Sequence, residues 1–350
     1  MPTYPIERSI PKTGYYWFSA WALWMFISSA WSPLGARLSE RLEDIFLLWF
    51  FCSVSWLLLS ILPAEMTHRV FNWLLGVGVV YFLLAVAQGG GAQGRLAAPG
   101  GGPNVFARIM LLAFLAAIMY LIQRRRTLIA ISCASFFAIG AVMSGSRGAL
   151  LGIAVALLLA FIPLIRRLGA WRILLCVTGL SALGLIVAHF AKLDIKTFIE
   201  RRYIEQTFEQ GYASGRVVIT QDAWGMFLEN PFIGVGLDGY YALQEVSGAF
   251  QYPHNLLLSS GAEGGVIGMV LLLGAWLSII ITSTNARPLS ATTLIALVAF
   301  LFLVVASFTS GDYYDSRYSW FFGALATIAA QKTAPSYYAV SRPRVANHLE

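Results

Sequence analysis

Long apolar runs decide what this chain can fold into. Ten stretches, at 15–31, 45–63, 70–87, 105–122, 127–143, 148–165, 172–190, 256–282, 289–309 and 317–331, are dominated by apolar side chains. A bilayer core about 30 Å thick takes a helix of about 20 such residues, and water offers no way to hide this many of them. Of the 350 residues 58% are hydrophobic and only 12% are charged, which leaves too little polar surface for a soluble domain. The expected fold class is all-α. It is a polytopic membrane protein with about ten transmembrane helices and one larger hydrophilic segment, in a single membrane domain spanning 1–350. The run at 15–31 follows Arg8 and Lys12 and has small residues near Ala30 and Ala36, as a cleaved signal peptide would. Its length and its tryptophans favour a retained span.

The net charge of +7 would suggest nucleic acid in a soluble protein. Here the basic residues fall between apolar runs, so they report topology, and no nucleic-acid partner is expected. If the N-terminus, the loops at 64–69, 123–126, 166–172 and 283–288 and the C-terminal tail share one side, that side collects 13 Lys/Arg and three acids. The positive-inside rule makes that side cytoplasmic, with Arg124-Arg125-Arg126 and Arg166-Arg167 as its strongest markers, and both termini are then cytoplasmic. The segment 191–253 is placed on the outer face, with an amphipathic helix expected at 193–210 and a second helix from Arg216 to Asn230-Pro231. The Gly/Ala-rich stretch 88–104 reads as a flexible outer loop. Cys52, Cys133 and Cys176 all lie in apolar runs and carry no disulfide or metal signal.

Polar residues at the outer edge of these runs are the candidates for chemistry. The sequence SGSRGALLG puts Arg147 at the junction of two apolar helices, among small residues that let a ligand approach. A snorkelling arginine is the competing reading. Arg216 opens a helix followed by a turn with glycines at 234, 236 and 239. In YPHNLLLSSGAEGGVIG, His254 follows Pro253 and precedes Asn255, whose amide can hold an imidazole nitrogen. Glycines at 261, 264, 265 and 268 permit close helix packing around it, and Gly264/Gly268 has G-x-x-x-G spacing. Glu263 either orients a partner or caps a neighbour. Arg108, one turn into a run, and Asp312, Asp315 and Arg317 in SGDYYDSRY are accessory candidates, with ion pairing among themselves as the structural alternative.

Some chemistries have no counterpart. There is no H-E-x-x-H or Walker motif, no Asp-x-Asp pair, and Ser144 replaces the first glycine of a nucleophile elbow. No metal or cofactor is expected. What the parts do suit is a lipid-tailed diphosphate. Arginines fork onto phosphate oxygens, and a histidine with a reference pKa of about 6.5 can take a proton from an attacking hydroxyl. A transporter or flippase of an anionic lipid-linked substrate is the alternative. It would need access from both sides, and no paired broken helices signal an inverted repeat.

Four motifs in order give a resemblance. They are S-x-S-R ending at Arg147, the helix from Arg216 to Trp224, the Pro-Phe-x-Gly-x-Gly turn at 231–236, and His254-Asn255 followed by Gly265 and Gly268. This resembles the O-antigen ligase and polysaccharide polymerase superfamily of the bacterial envelope, over residues 100–325. The resemblance implies a bacterial inner-membrane enzyme with its active site facing the periplasm. It would transfer a glycan from undecaprenyl diphosphate to an acceptor hydroxyl, on a growing glycan or on lipid A core. No metal would take part, and the anomeric configuration would invert. By that resemblance Arg147 and Arg216 bind the diphosphate and His254 is the base or positions the acceptor. Residues 217–253 hold no Lys or Arg, so Arg108 or Arg317 are the candidates for a further cation.

Overall fold

The computed structural model describes residues 12–89, 95–97, 100–124, 126–190, 214–244, 252–286 and 289–332, with the backbone alone at 180, 183–190 and 214–216. Among the described residues there are helices and turns and no strand. In chain order they are α1 Thr13–Ile27, α2 Leu38–Ile61, α3 Ala64–Thr67, α4 Arg69–Ala87, α5 Pro103–Ile122, α6 Thr127–Met143 and α7 Arg147–Leu159. Then follow α8 Phe161–Leu168, α9 Ala170–Phe190, α10 Ser214–Glu229, α11 Gly239–Leu243, α12 Leu256–Asn285, α13 Ala291–Ser307 and α14 Arg317–Lys332. The amphipathic helix expected at 193–210 lies outside the described residues; the one expected from Arg216 is α10.

Each of the ten apolar runs is helical. Among the described residues, four helices suffice by length and composition to cross a membrane: α2, the 24 residues Ala64–Ala87, α5 and α12. A fifth appears if α7 and α8 count as one span, bent by 72°. Pro163 accounts for that bend, because its ring lacks an N–H and clashes with the carbonyl four residues back, at Leu159, the last residue of α7. Helices α6 and α13 and the first turns of α9 are apolar but shorter. Against the expectation of about ten spans, the described residues give helix at every apolar run, but four or five stretches with the dimensions of a span.

Helix α5 is the central one of the long helices, with 78% of its apolar window buried, against 17% for the Ala64–Ala87 window. It packs on α4, α6, α7 and α13, while α13 also lies against α7 and α14. Gly102 and Pro103 start α5 and Ser290 caps α13, its hydroxyl accepting from the Thr293 N–H at 3.0 Å. Phe46, Phe50, Leu57 and Ile61 share the outward face of α2 and are each more than half exposed. In water such a stripe would be an adhesive patch; against lipid it is an ordinary surface.

The helix that follows His254 departs from the straight span its sequence suggests. Gly265 has φ 64° and ψ −164°, a conformation essentially confined to glycine. It divides α12 into arms 256–264 and 266–285. A Cβ on Gly268 would lie 2.7 Å from the Ser260 carbonyl oxygen, and one on Gly261 would lie 2.7 Å from the Met269 sulfur. Residues eight apart in a straight helix are about 12 Å apart, so the chain doubles back at Gly265. The turn at 231–236 docks into this break. Val235 N–H donates to the Ala262 carbonyl (2.9 Å), Gly236 N–H to the Glu263 carbonyl (3.0 Å) and Val266 N–H to the Pro231 carbonyl (2.7 Å). The G-x-x-x-G pair therefore divides its work. Gly264 abuts Met25 and Trp24 of α1, and Gly268 abuts its own chain.

Candidate functional site

The docked turn carries Asp238, and Asp238 organises a buried ion cluster. Its carboxylate, 3% exposed, accepts from Arg37 Nη2 at 2.8 Å and from Arg41 Nε at 3.0 Å. Arg41 is itself buried in the first turn of α2. Its Nη1 also donates to Asp44 at 2.9 Å and to Asp312 at 3.3 Å. One guanidinium thus ties the start of α2, the Gly-rich turn and the segment before α14 together.

Glu263 sits at the end of the first arm of α12, 4% exposed. It accepts from the Tyr313 hydroxyl at 2.6 Å and from the Asp238 main-chain N–H. Burial, reinforced by the Glu263 carboxyl, holds the Tyr313 phenol well above its ordinary value. Of the two roles open to Glu263, the contacts fit the orienting one, since it locks the 313 turn and the 238 turn onto the helix break.

Asp312 differs from the sequence expectation. Pairing with Arg317 or Arg108 is expected of it, yet its carboxylate accepts from Arg41 and from the Asp315 N–H at 2.9 Å, starting the turn Tyr314–Ser316. Arg317 pairs with Asp315 at 3.7 Å, and the rings of Tyr314 and Tyr318 lie 4.4 and 4.6 Å from its guanidinium carbon. Arg108 is 7% exposed, so it does not snorkel; Nη2 donates to the Ser310 carbonyl at 2.5 Å, and Asp315 is the acid it feels most. Burial, and then Asp312, raise the Asp315 carboxyl above the usual range.

His254 stands beside this cluster. Its backbone is left-handed, φ 56°, and its ring packs edge-on against Tyr252 with centroids 4.4 Å apart. A non-glycine residue in this region carries strain of order 1–3 kcal/mol, and such strain concentrates at sites of function. Tyr252 borders the same small cavity as Arg41, Asp238, Glu263, Asp312 and Tyr313. Burial and the nearby Asp315 push its phenol up to about 12. Asn255 serves the helix end. Its side-chain oxygen accepts from the Leu258 N–H at 3.1 Å, capping α12.

Arg147 is the first residue of α7. The preceding Ser146 hydroxyl donates to Asn104 at 2.8 Å, Asn104 donates to the Ser310 hydroxyl at 3.0 Å, and the Ser310 carbonyl receives Arg108. Part of the stretch 88–104 is anchored here rather than free, with Arg95 Nε donating to the Ser144 carbonyl at 2.8 Å and Leu96 N–H to Met143. Arg216 lies in the first turn of α10, which packs on α12; its side chain is outside the described atoms. Thus Glu263 and Asp312 line one small cavity, which His254 adjoins through Tyr252, Arg108 and Arg317 line another, and Arg147 is tied to Arg108 through Ser146, Asn104 and Ser310. Sequence reasoning missed Arg37, Arg41, Asp238 and Tyr313. The one signal was charge crowded into RLSERLED just ahead of an apolar run. Among the described residues, no group of three His, Cys, Asp or Glu is placed to hold a metal ion.

Comparison with known proteins falls on a segment that holds Arg147, Asp238, Tyr252, His254 and Glu263 but not Arg37, Arg41, Arg108, Asp312 or Arg317. The family described as O-Antigen ligase matches residues 132–273, from α6 to the second arm of α12. Over those residues the chain is similar to that family. Its apolar helices and that family fit an integral membrane protein of the bacterial envelope, and a glycosyltransferase-like enzyme acting on lipid-linked glycans in general. No curated protein matches the sequence. A chain from the solved structure "Structural coordination of polymerization and crosslinking by a peptidoglycan synthase complex" is similar at 16% identity and TM-score 0.46. That likeness covers 92% of this chain and 98% of the other and is too distant to inform function.

Proposed function

We propose that this protein is an O-antigen ligase superfamily member that transfers a glycan from undecaprenyl diphosphate to an acceptor hydroxyl at the periplasmic face of the inner membrane. The observation that carries the reading is His254, held in a left-handed backbone conformation at the head of a broken helix and packed edge-on against a tyrosine that borders the buried ion cluster. The acceptor oxygen attacks the anomeric carbon as its proton passes to the imidazole. The bond from that carbon to the diphosphate breaks, and undecaprenyl diphosphate leaves with the bonding pair. Attack from the opposite face inverts the configuration. Arg147 and Arg216 hold the diphosphate, and guanidinium groups placed ahead of the reaction stabilise the departing charge. The positive-inside bias of the cytoplasmic loops supports this orientation, and about ten spans would bring both termini to the cytoplasm.

The test is reaction of the purified protein with an undecaprenyl-diphosphate oligosaccharide, with and without lipid A core. Transfer to lipid A core indicates a ligase, and chain growth without it indicates a polymerase. His254→Ala, Arg147→Ala and Arg216→Ala should each lower the rate at least a hundredfold, the scale of a lost general base or charge stabiliser, with unchanged thermal stability. Full activity in all three variants overturns the proposal.

A further inference from the structure

A cavity of about 280 Å³ opens beside Arg108 and Arg317, outside the cluster around His254. It is a cleft between two helix pairs. Helix α2 packs on α14, and α4 packs on α5, but α4 makes no close packing with α2 or α14. On α4 the wall is one stripe, Val70, Leu74, Val77 and Tyr81, spaced i, i+4, i+7, i+11. On α5 a matching stripe, Val105, Ile109 and Leu112, faces it. Eleven residues at 1.5 Å rise make the α4 wall roughly 16 Å long. Trp73, 75% exposed, and Val77, 40% exposed, place the opening on the outer side of α4.

One end of this apolar slot is polar. Arg108, Arg317 and Asp315 border it, so among the described residues lining it two guanidiniums face one carboxylate. Asp312, which would balance them, is taken by Arg41. Each guanidinium carries five N–H donors, so the bonds to Ser310 and Tyr314 leave capacity for an anion. An elongated apolar slot one side-chain stripe wide, capped by surplus positive charge, is complementary to a single hydrocarbon chain ending in phosphate. A phospholipid has two chains and fits such a slot poorly.

We propose that the cleft between α2/α14 and α4/α5 holds the polyisoprenyl chain of the lipid-linked donor, with Arg108 and Arg317 as further cations beside Arg147 and Arg216 where the chain meets the diphosphate. This rests on the donor class argued above and adds where its tail enters. Full-length protein carrying p-benzoylphenylalanine in place of Trp73, an aromatic already at the opening, is irradiated with radiolabelled undecaprenyl phosphate in detergent. The expected result is a saturable lipid adduct, competed by unlabelled undecaprenyl phosphate and not by phosphatidylglycerol or inorganic phosphate. The same group at Leu83, on α4 and 61% exposed, should give no saturable adduct. Arg317→Gln should weaken the Trp73-position adduct at least tenfold. Val77→Trp, which fills the slot, should abolish lipid binding and glycan transfer, while Leu83→Trp, outside the slot on the same helix, folds and keeps both. Absence of the adduct at position 73, equal competition by phosphatidylglycerol, or full transfer by Val77→Trp overturns the cleft assignment. None of these outcomes touches the His254 and Arg147 variants, so failure here is separable from failure of the proposed function.

Discussion

Replacing Gly265 with alanine probes the break that shapes the site. The wild-type φ and ψ of 64° and −164° lie where an L-residue is strained by about 1–3 kcal/mol. The added Cβ would also sit 2.3 Å from the Phe232 carbonyl oxygen and 2.4 Å from its carbon. Main chain cannot swing aside as a side chain can. Relief requires parting the 231–236 turn from α12, which breaks the three hydrogen bonds from Val235, Gly236 and Val266. At about 1 kcal/mol each, they bring the loss to roughly 4–6 kcal/mol together with the strain. Gly76→Ala is the control, because nothing lies within 4 Å of its Cβ and its helix gains from losing a glycine. The assay is reversible unfolding in mixed micelles, with glycan transfer measured in parallel. Gly265→Ala should lose most of its stability and its activity, and Gly76→Ala neither. A loss at Gly265 under about 1 kcal/mol, less than the backbone strain alone should cost, or equal losses at both positions, would refute the reasoning.

Other expectations concern the charges. Arg41→Met strips a buried counter-charge from Asp238, Asp44 and Asp312 and should destabilise by about 3 kcal/mol. Combining it with Asp238→Asn should recover part of that loss, and a double-mutant cycle on unfolding midpoints reads the coupling; strict additivity would refute the ion-pair account. Burial and Asp312 raise the Asp315 carboxyl, so its contribution to stability is present at low pH and lost as pH rises through the raised value. Asp315→Asn should therefore be more stable than wild type at pH 8, with the gain vanishing below the unfolded carboxyl value of about 3.9. A gain that persists unchanged at pH 3 would remove titration of Asp315 as its cause.

Helix positions were legible because apolar periodicity is local. The ten apolar runs all lie on helices, and α10 begins beside Arg216 as its sequence suggests. The break in α12 was not legible. Its glycines read as small packing residues, and the reason one of them must be glycine lies at Phe232, some thirty residues earlier. The same holds for charge. Arg41 and Asp238 are 197 residues apart, and no spacing rule connects them. Asn255 looked like a partner for His254 because a side-chain amide can serve either a ring or a helix end. The unpaired N–H groups at the start of α12 make the second demand, and the Asn255 oxygen meets it at Leu258. Arg147 and His254 stood out for a different reason, since polar groups at the edge of apolar runs are conspicuous by composition alone.

The union of the 231–236 turn with the tip of α12 is made from peptide groups, with no side chain acting as intermediary. Side-chain substitution at the non-glycine positions of the turn therefore leaves all three hydrogen bonds available. Proline is the exception, since at 235, 236 or 266 it would delete the donor itself.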